Sequence, residues 1–319
     1  MREDDPVLPT TIPHGQTARR LEWAHLPPHL RTLVERHTGS PVVSATSRTT
    51  GFTPGLASVL ACDDGSMHFV KAASRRAQRA FAEAYLEESR KLVALPAEAP
   101  APRLLWQHVD EDWVVLGIEH VEAGHPGRPW RQADLDRSLD MLELSASVLD
   151  APPEGLQLDD FAAEFAEWPS YWEHLRTSRP DLAHLEEAAA LAAGFAEVTA
   201  GSAVVHTDVR DDNILLCADG RTLLCDWNWP VAGAPWIDSL LLLIGPRGDG
   251  LDVERVLSER TLLRDVPAEH VDVLLALVAG YFLRSAELPV PTTSPYIRAA
   301  QRWQSEVVWQ WLSERRGWS

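Results

Sequence analysis

Residues 206–213 read HTDVRDDN, and Asp226 closes an apolar segment thirteen positions after Asn213. The stretch fits the pattern H-x-D-x-x-x-x-N, in which Asp208 is the central acid. Two short apolar runs lie between Asn213 and Asp226, and the turn-forming sequence Ala-Asp-Gly at residues 218–220 separates them. We expect this segment to form a β-hairpin, which would bring Asn213 and Asp226 close together.

This spacing is typical of a catalytic loop that transfers phosphoryl groups. Asp208 would accept the proton of a substrate hydroxyl. Asn213 and Asp226 would hold Mg²⁺ against nucleotide phosphates, because Mg²⁺ prefers a few hard oxygen ligands. The alternative is that Asp211 and Asp212 mark a polar turn and that Asp226 only ends a strand. The complete set at this spacing favours the catalytic interpretation.

Two longer segments carry a family resemblance: VVHTDVRDDNILL, residues 204–216, and LLCDWNWPVAGAPWIDSL, residues 223–240. They resemble the aminoglycoside phosphotransferase family, whose members usually have HGD followed by Asn, then Asp-Trp, then G-x-P-x-x-D. The resemblance extends over residues 42–245. It implies an α+β, bilobal, protein-kinase-like fold with a small antiparallel sheet in the N-lobe and a larger helical C-lobe.

The resemblance also implies roles for single residues. Asp208 is similar to the catalytic aspartate, and Asn213 and Asp226 are similar to the metal ligands. Arg210 lies where related kinases often have a cation that faces the transferred phosphate. Asp238 resembles the structural aspartate near the catalytic loop.

Three further residues in or near the loop need an interpretation. We expect His206 to orient the loop by hydrogen bonding rather than to bind a metal. Thr207 replaces the usual glycine and adds a β-branched side chain to a tight loop. Trp227 follows Asp226 where many kinases have Phe. Tryptophan at this place is common in the family that the sequence resembles. Neither departure removes a reacting group.

Lys71 and Glu88 form the second candidate pair. Lys71 lies near the end of a predicted strand, where kinases place the lysine that binds the α and β phosphates. Glu88 interrupts an apolar stripe on the following helix, where a carboxylate is costly without a cationic partner. We therefore predict an ion pair between Lys71 and Glu88 that faces the cleft between the lobes. The neighbouring Glu87 is the alternative partner.

Two connections complete the predicted nucleotide site. The turn between the first two strands contains Gly51 and Gly55, where a loop covering the phosphates is expected. Glu119 and Val121 lie in the predicted hinge between the lobes, where backbone groups would contact the purine. The sequence contains no G-x-x-x-x-G-K-[ST] pattern and so does not support a P-loop.

The chain is expected to divide into an N-terminal extension with a helix, a nucleotide-binding N-lobe, and a helical C-lobe with the catalytic loop and acceptor site. The expected bounds are 1–39, 40–121 and 122–319. The N-lobe should contain five strands and a helix near 75–95. Helices are expected in the C-lobe over about 132–149, 157–176, 181–199, 251–263, 268–286 and 295–315. The hairpin near the catalytic loop is the only β-structure expected there.

The composition is that of a folded globular protein, with 45% hydrophobic and 24% charged residues over 319 positions. The net charge is −18, from 29 Lys and Arg against 47 Asp and Glu. A surface this acidic repels nucleic acid and anionic lipid, so neither is an expected partner. Three cysteines without CxxC spacing indicate no disulfide framework, and no export signal or membrane span is expected, so the predicted location is the cytoplasm. The sequence does not indicate an oligomeric state.

The acceptor is the least defined part of the prediction. An acidic set could attract a polycationic aminoglycoside. It consists of Asp159, Asp160, Glu164 and Glu167. Acidic helix faces are usually solvated surface, and the chain ends with the basic pair Arg315 and Arg316 instead of the acidic tail of some aminoglycoside kinases. An aminoglycoside acceptor is therefore not decided by the sequence.

The predicted activity is Mg²⁺-dependent transfer of the γ-phosphate of ATP or GTP to a hydroxyl group of a small molecule. The expected acceptor is an antibiotic, either an aminoglycoside or another class, which would make the protein a resistance enzyme. An amino alcohol or sugar is the alternative. A nucleotide-binding pseudokinase that regulates a partner is the alternative of a different class, although the intact Lys71, Asp208 and metal ligands argue against it.

Overall fold

The computed structural model describes residues 8–13, 15, 17–51 and 54–318, which form two lobes. The smaller N-lobe contains a five-stranded antiparallel sheet, and the larger C-lobe is mostly helical. The predicted α+β class with these two lobes is confirmed. No helix in the described part of the chain is long and apolar enough to cross a membrane.

The N-lobe sheet has the strand order β1-β2-β3-β5-β4. Its strands are β1 (Val42–Ser47), β2 (Leu56–Cys62), β3 (Met67–Ser74), β4 (Leu104–Val109) and β5 (Trp113–Ile118). Lys71 lies in the central strand β3, opposite Ala57 of β2 and Leu116 of β5. The strand that carries the lysine is therefore held by backbone hydrogen bonds to a neighbour on each side.

Side chains along β3 alternate between the two faces of the sheet. Val70 is buried against α1 (Pro28–Thr38), whose Leu30 and Val34 pack on that face. Lys71 is the next residue and therefore points to the opposite face. The helix expected near the N-terminus thus covers the side of the sheet that faces away from Lys71.

The helix α2 (Arg79–Ala94) covers the face to which Lys71 points. Tyr85, Glu88 and Leu92 follow one another at helical spacing and are all buried. The apolar members of this stripe pack into the core of the N-lobe. Glu88 is therefore carried by its helix into the interior beneath β3.

The C-lobe contains ten helices and five short strands in the described residues. The helices are α3 (Gln132–Val148), α4 (Phe161–Glu164), α5 (Tyr171–Ser178), α6 (Leu185–Ala193), α7 (Phe195–Val198), α8 (Ile237–Leu242), α9 (Ile244–Gly248), α10 (Val253–Glu259), α11 (Ala268–Ala286) and α12 (Ile297–Arg316). The strands are β6 (Ala123–Gly124), β7 (Ala203–Val205), β8 (Ile214–Cys217), β9 (Thr222–Leu224) and β10 (Val231–Gly233). The long helices α11 and α12 pack against each other, and the hairpin of β8 and β9 carries the end of the catalytic loop.

Two predicted helices are interrupted. The helix expected over 157–176 is divided into α4, a 3₁₀ turn at Trp168–Ser170, and α5. Pro169 lies in that turn and lacks the N–H that an α-helix would use. The helix expected over 181–199 begins only after His184, which has a left-handed backbone with φ of 57°, and ends first at Gly194. The two predicted long helices are therefore present as shorter elements.

The prediction that the β8–β9 hairpin is the only β-structure of the C-lobe is wrong. Strand β7 pairs with β10, with Val205 opposite Val231, and β6 pairs with β8. The helices α8 and α9, over residues 237–248, were also not expected. Strands of two or three residues have no periodicity of their own, because their formation depends on partners distant in sequence.

Described residues between 8 and 20 contact first the C-lobe and then the N-lobe. The backbone N–H of Leu8 donates to the carbonyl of Gly248 at 2.9 Å. Farther along, the hydroxyl of Thr17 donates to the carbonyl of Gly51 at 2.6 Å, in the turn between β1 and β2. These residues therefore connect the predicted phosphate-covering loop to the far lobe.

Candidate active site

Two cavities open on the two sides of the catalytic loop. The larger has a volume of about 420 Å³ and is lined by Asp208 and Arg210. The smaller has a volume of about 120 Å³ and is lined by Lys71 and Asp226. Asp212 lines both, so the cavities lie next to each other at this loop.

Asp238 anchors the start of the catalytic loop. Its Oδ2 accepts a hydrogen bond from the backbone N–H of His206 at 2.7 Å, and its Oδ1 accepts one from that of Thr207 at 2.9 Å. Burial raises the pKa of Asp238 to about 6, while the two N–H donors act in the opposite direction. Asp238 begins the first turn of α8 and thus ties the loop to that helix.

His206 fixes the loop against Cys225, the residue that follows β9. Its Nε2 lies 3.0 Å from the carbonyl of Cys225, and the backbone N–H of Asp208 donates to its Nδ1 at 3.3 Å. These contacts are satisfied together by a neutral imidazole with its proton on Nε2. Burial lowers the pKa of His206 to about 4, which keeps the ring neutral at neutral pH. The predicted orienting hydrogen bonds are present.

Two residues of the site that are not glycine have left-handed backbones, one in the loop and one after β9. Thr207 has φ of 68° and Asp226 has φ of 70°. Only glycine adopts this conformation without strain, which accounts for the glycine usually found where Thr207 stands. The Thr207 hydroxyl donates to the carbonyl of Trp229 at 3.1 Å and helps to hold the conformation. Strained backbone of this kind is typical of functional sites.

The carboxylate of Asp208 is held from two sides. Its Oδ2 accepts a hydrogen bond from the amide Nδ2 of Asn213 at 3.0 Å, and its Oδ1 pairs with Nη1 of Arg210. Partial burial raises the pKa of Asp208, and the charge of Arg210 opposes that shift. The carboxylate thus has a fixed orientation at the edge of the larger cavity.

Arginines also neutralise the other acids of the loop. Nε of Arg210 donates to Oδ1 of Asp212 at 2.9 Å, so this guanidinium bridges Asp208 and Asp212. The buried Asp211 forms a bidentate pair with Arg128, with Nη2 to Oδ1 at 2.7 Å. Each acid of residues 206–213 is therefore paired with a guanidinium.

Lys71 lies between two carboxylates in the smaller cavity. Its Nζ donates to Oε1 and Oε2 of Glu88 at 2.7 and 2.8 Å, and to Oδ1 of Asp226 at 2.6 Å. The predicted ion pair between Lys71 and Glu88 is present. Glu87 instead pairs with Arg90 and Lys91 on the outer side of α2.

The charges of this cluster shift one another's pKa values. Burial raises the pKa of Glu88 to about 7, with Lys71 acting against the shift. Burial also acts to raise the pKa of Asp226, but the ammonium of Lys71 outweighs it and lowers that pKa to about 2. Asp226 is therefore ionised at neutral pH, as a ligand for a divalent cation must be.

The residues predicted to hold Mg²⁺ fit a magnesium site that also uses phosphate oxygens. Asn213 and Asp226 both line the smaller cavity, and the N–H of Cys225 donates to the carbonyl of Asn213 at 2.9 Å. The amide nitrogen of Asn213 is committed to Asp208, so its oxygen would meet the cation. In the described chain, no group of three or more His, Cys, Asp or Glu could hold a metal. Mg²⁺ typically binds through one or two protein oxygens and substrate phosphates.

The predicted loop and hinge residues differ in their position relative to the smaller cavity. Gly51, Glu119 and Val121 line it, and Gly51 has the left-handed φ of 76° that suits glycine. Gly55 lies outside that lining. A Cβ at Gly55 would be 2.7 Å from the hydroxyl oxygen of Tyr85, so glycine there permits close packing. Phe52 and Thr53 of the same turn lie outside the described residues.

The side chain of Glu119 connects the lobes. Its carboxylate accepts from Nε of Arg103 at 3.1 Å and pairs with Arg221 of the C-lobe at 3.5 Å. The side chain is therefore engaged in ion pairs. The predicted contact of the hinge with a purine would therefore have to come from the backbone of Glu119.

Eight aromatic side chains line the larger cavity, together with aliphatic and polar residues. The aromatic residues are Trp130, Phe161, Phe165, Trp168, Trp229, Tyr281, Phe282 and Trp303. The rings of Trp168 and Tyr281 are stacked, with centroids 4.1 Å apart. Of the four acids considered for a polycationic acceptor, only Glu164 lines this cavity.

Sequence reasoning missed Arg128 and the aromatic walls. Arg128 precedes Pro129 in a turn-rich connection, with no neighbouring signal that relates it to Asp211, 83 residues away. The aromatic residues lie on five separate segments, which only the tertiary fold brings together.

Comparisons with known proteins identify the fold. No family model and no curated protein matches the sequence. The crystal structure of the aminoglycoside phosphotransferase APH(4)-Ia aligns with a TM-score of 0.61 at 13% identity, covering 88% of this chain and 98% of that chain. The choline kinase LicA from Streptococcus pneumoniae aligns with a TM-score of 0.59 at 15% identity, covering 88% of this chain and 99% of that chain.

A third structure and three bound ligands extend the comparison. An aminoglycoside phosphotransferase from Alicyclobacillus acidocaldarius aligns with a TM-score of 0.55 at 13% identity, covering 86% of this chain and 92% of that chain. A variant of APH(4)-Ia was crystallised with ADP and hygromycin B, and LicA with AMP. At these identities the similarity establishes the fold: this chain has the protein-kinase-like fold of small-molecule kinases.

Proposed function

We propose that the protein is a Mg²⁺-dependent phosphotransferase that moves the γ-phosphate of ATP or GTP to a hydroxyl group of a small molecule. One observation carries the proposal. Lys71, Asn213 and Asp226 line the smaller cavity, whereas Asp208 lines the larger one, and the two cavities share Asp212. The candidate phosphate-binding groups and the candidate base thus lie in adjacent compartments, as transfer between two substrates requires.

On the nucleotide side, the smaller cavity supplies the ammonium of Lys71 and two candidate ligand oxygens. Lys71 would contact the phosphates, and its ion pair with Glu88 holds the ammonium in place. Asn213 and Asp226 would hold Mg²⁺, which neutralises phosphate charge when it is bound. Glu119 and Val121 line the cavity at the hinge, where the base of the nucleotide would lie.

On the acceptor side, Asp208 would take the proton of the attacking hydroxyl. Its pairing with Arg210 and Asn213 fixes the carboxylate before the acceptor binds. Arg210 would also offset the negative charge that gathers near the transferred phosphate. Asp238 and His206 would keep the loop in its strained conformation.

The larger cavity fits a hydroxylated acceptor with extensive apolar surface. Its lining includes eight aromatic side chains, and Asp208, Asp211 and Asp212 are already paired with arginines. A polycation such as an aminoglycoside needs several carboxylates without such partners. We therefore favour an antibiotic of lower charge over an aminoglycoside.

A small amino alcohol is the second candidate acceptor. Aromatic walls can bind a quaternary or tertiary ammonium through cation–π contacts, and Trp168 and Tyr281 offer stacked rings. Against this candidate, a volume of about 420 Å³ is large for a molecule of a few heavy atoms. The pseudokinase alternative is not favoured, because Lys71, Asp208 and Asp226 are all present.

The test is acceptor-dependent consumption of nucleotide. The protein is incubated with ATP or GTP, with and without Mg²⁺, and with aminoglycosides, macrolides, nucleoside antibiotics or small amino alcohols. Asp208→Asn is the control for transfer that does not use the site. We expect Mg²⁺-dependent phosphorylation of an uncharged or singly charged acceptor. Nucleotide binding without transfer to any member of the panel would favour the pseudokinase, and preferred transfer to aminoglycosides would overturn the acceptor class.

A further inference from the structure

We propose that Arg20, one of the described residues between 8 and 20, binds the phosphate chain of the nucleotide. The inference rests on the proposed function and adds a cation that neither lobe supplies from its own strands or helices. Arg20 precedes α1 and the N-lobe sheet in sequence and lies in a stretch without regular secondary structure. The sequence therefore gave no reason to connect it with Lys71.

Arg20 is held at the turn that covers the smaller cavity. Its Nη2 donates to the carbonyl of Thr50 at 2.6 Å. A Cβ on Gly51 would lie 3.3 Å from the same nitrogen, so the guanidinium lies directly against that glycine. The next residue, Leu21, donates through its N–H to the carbonyl of Pro54 at 3.2 Å. Arg20 is thus fixed at both ends of the turn and lines the cavity together with Lys71 and Asp226.

The charges around Lys71 are already paired with one another. The ammonium of Lys71 is shared by two carboxylates, Glu88 and Asp226. The described hydrogen bond of Arg20 goes instead to a carbonyl, which carries no net charge. Among the described residues no carboxylate forms an ion pair with Arg20, so its guanidinium can form charge-assisted hydrogen bonds to phosphate oxygens.

The charge of Arg20 acts on ionisable groups close to Lys71. It contributes to lowering the pKa of Asp226, after the larger effects of burial and Lys71. It also acts to lower the pKa of Tyr85, although burial has the larger effect and raises that pKa. By contrast, Arg48, the other arginine that lines the cavity near this turn, acts on His120 in the hinge. Arg20 is therefore the arginine placed to face phosphates beside Lys71.

Arg19 provides a matched control. It is the preceding residue, its side chain is exposed, and its backbone N–H donates to the carbonyl of Thr293 at 3.0 Å. It does not line the smaller cavity. Arg19→Gln and Arg20→Gln change the net charge equally, and each replaces a guanidinium by a neutral amide. Any difference in ligand affinity between the two variants is therefore due to the position of the lost guanidinium, because the net charge of the two variants is the same.

The experiment measures equilibrium binding of ADP and of adenosine to the full chain and to the two variants. We expect Arg20→Gln to weaken ADP binding by on the order of tenfold and to leave adenosine binding within about twofold. Arg19→Gln should match the unaltered protein for both ligands. If Arg20→Gln does not fold, Arg20→Met provides the same comparison.

Two results would overturn the inference while leaving the proposed function intact. In one, Arg20→Gln binds ADP as tightly as Arg19→Gln does. In the other, Arg20→Gln loses adenosine and ADP affinity equally, which would mean that Arg20 only holds the turn through Thr50. If the unaltered protein binds ADP no more tightly than adenosine, the proposed function itself fails, and the inference fails with it.

Discussion

Lys71 donates hydrogen bonds to both carboxylate oxygens of Glu88, at 2.7 and 2.8 Å, from the central strand of the sheet to the helix that covers it. The side chains are 9% and 2% exposed, so the pair is buried. The sequence predicted this contact, because Glu88 interrupts an apolar stripe and needs a cation. The ion pair joins the sheet and the helix at the place where the nucleotide phosphates are proposed to bind.

The first prediction compares the only two lysines of the chain, Lys71 and Lys91. Lys71→Met should lower the free energy of unfolding by about 3–5 kcal/mol, because two carboxylates lose their buried partner. Lys91→Met should cost less than about 1 kcal/mol, since Lys91 pairs with the partly exposed Glu87. Denaturant unfolding of both variants measures the difference.

Adding Glu88→Gln to Lys71→Met should recover part of the lost stability, since it removes the uncompensated buried charge. Equal costs for Lys71→Met and Lys91→Met would contradict the assignment of a buried pair.

The second prediction concerns pH and His206. Its pKa is about 4 in the folded protein because of burial, and about 6.5 in the unfolded chain. Between these values the unfolded chain binds a proton that the folded protein does not. The contribution of His206 to stability is therefore complete above pH 6.5 and is lost as the pH falls towards 4. The loss should be about 3 kcal/mol.

His206→Gln isolates this effect. Groups that titrate in both proteins, such as Asp238, cancel in the comparison. The unaltered protein should lose about 3 kcal/mol more unfolding free energy than the variant between pH 6.5 and 4. Parallel pH profiles of the two proteins would show that His206 is not buried in neutral form.

The third prediction concerns Asp226 as a metal ligand. Asp226→Asn should weaken nucleotide binding in the presence of Mg²⁺ by at least tenfold, because a neutral amide is a poorer ligand than a carboxylate. Without Mg²⁺ the variant should bind nucleotide about as well as the unaltered protein. Titration of nucleotide under both conditions measures this. An equal loss of affinity with and without Mg²⁺ would argue against metal binding by Asp226.

The fourth prediction concerns the wall of the acceptor cavity. Trp229 is 58% exposed, lines the larger cavity, and follows the strained loop. Trp229→Ala should raise the KM for the acceptor by about tenfold, while the KM for nucleotide and the free energy of unfolding change little. Steady-state kinetics with each substrate varied in turn checks it. A change in the KM for nucleotide instead would contradict the assignment of Trp229 to the acceptor cavity.

The long elements could be predicted from the sequence because their signals are local. The apolar spacing along residues 268–286 gives the bounds of α11, and turn residues separate the strands of the N-lobe. The short strands β7 and β10 could not be predicted in this way. Three residues have no measurable period, and Val205 and Val231 pair across 26 positions.

In the candidate site, too, the residues that could be predicted are those that lie close together in sequence. Asp208, Asn213 and Asp226 lie within one hairpin segment, so their spacing in sequence reports their spacing in space. Arg20 and Arg128 reach the site from segments more than 80 residues away from the acids that they approach. Their role depends on tertiary packing, for which a single sequence carries no local pattern.

The central claim is that Asp208 acts as the base that receives the acceptor's proton, apart from the groups that hold the nucleotide. The most direct measurement is the rate of acceptor phosphorylation by Asp208→Asn, together with its affinity for Mg²⁺-nucleotide. The account predicts a fall in kcat of about 10²- to 10⁴-fold, with nucleotide affinity within about threefold of the unaltered protein. An Asp208→Asn variant that transfers phosphate at the normal rate, or that loses nucleotide binding while Asp226→Asn retains both binding and turnover, would contradict it.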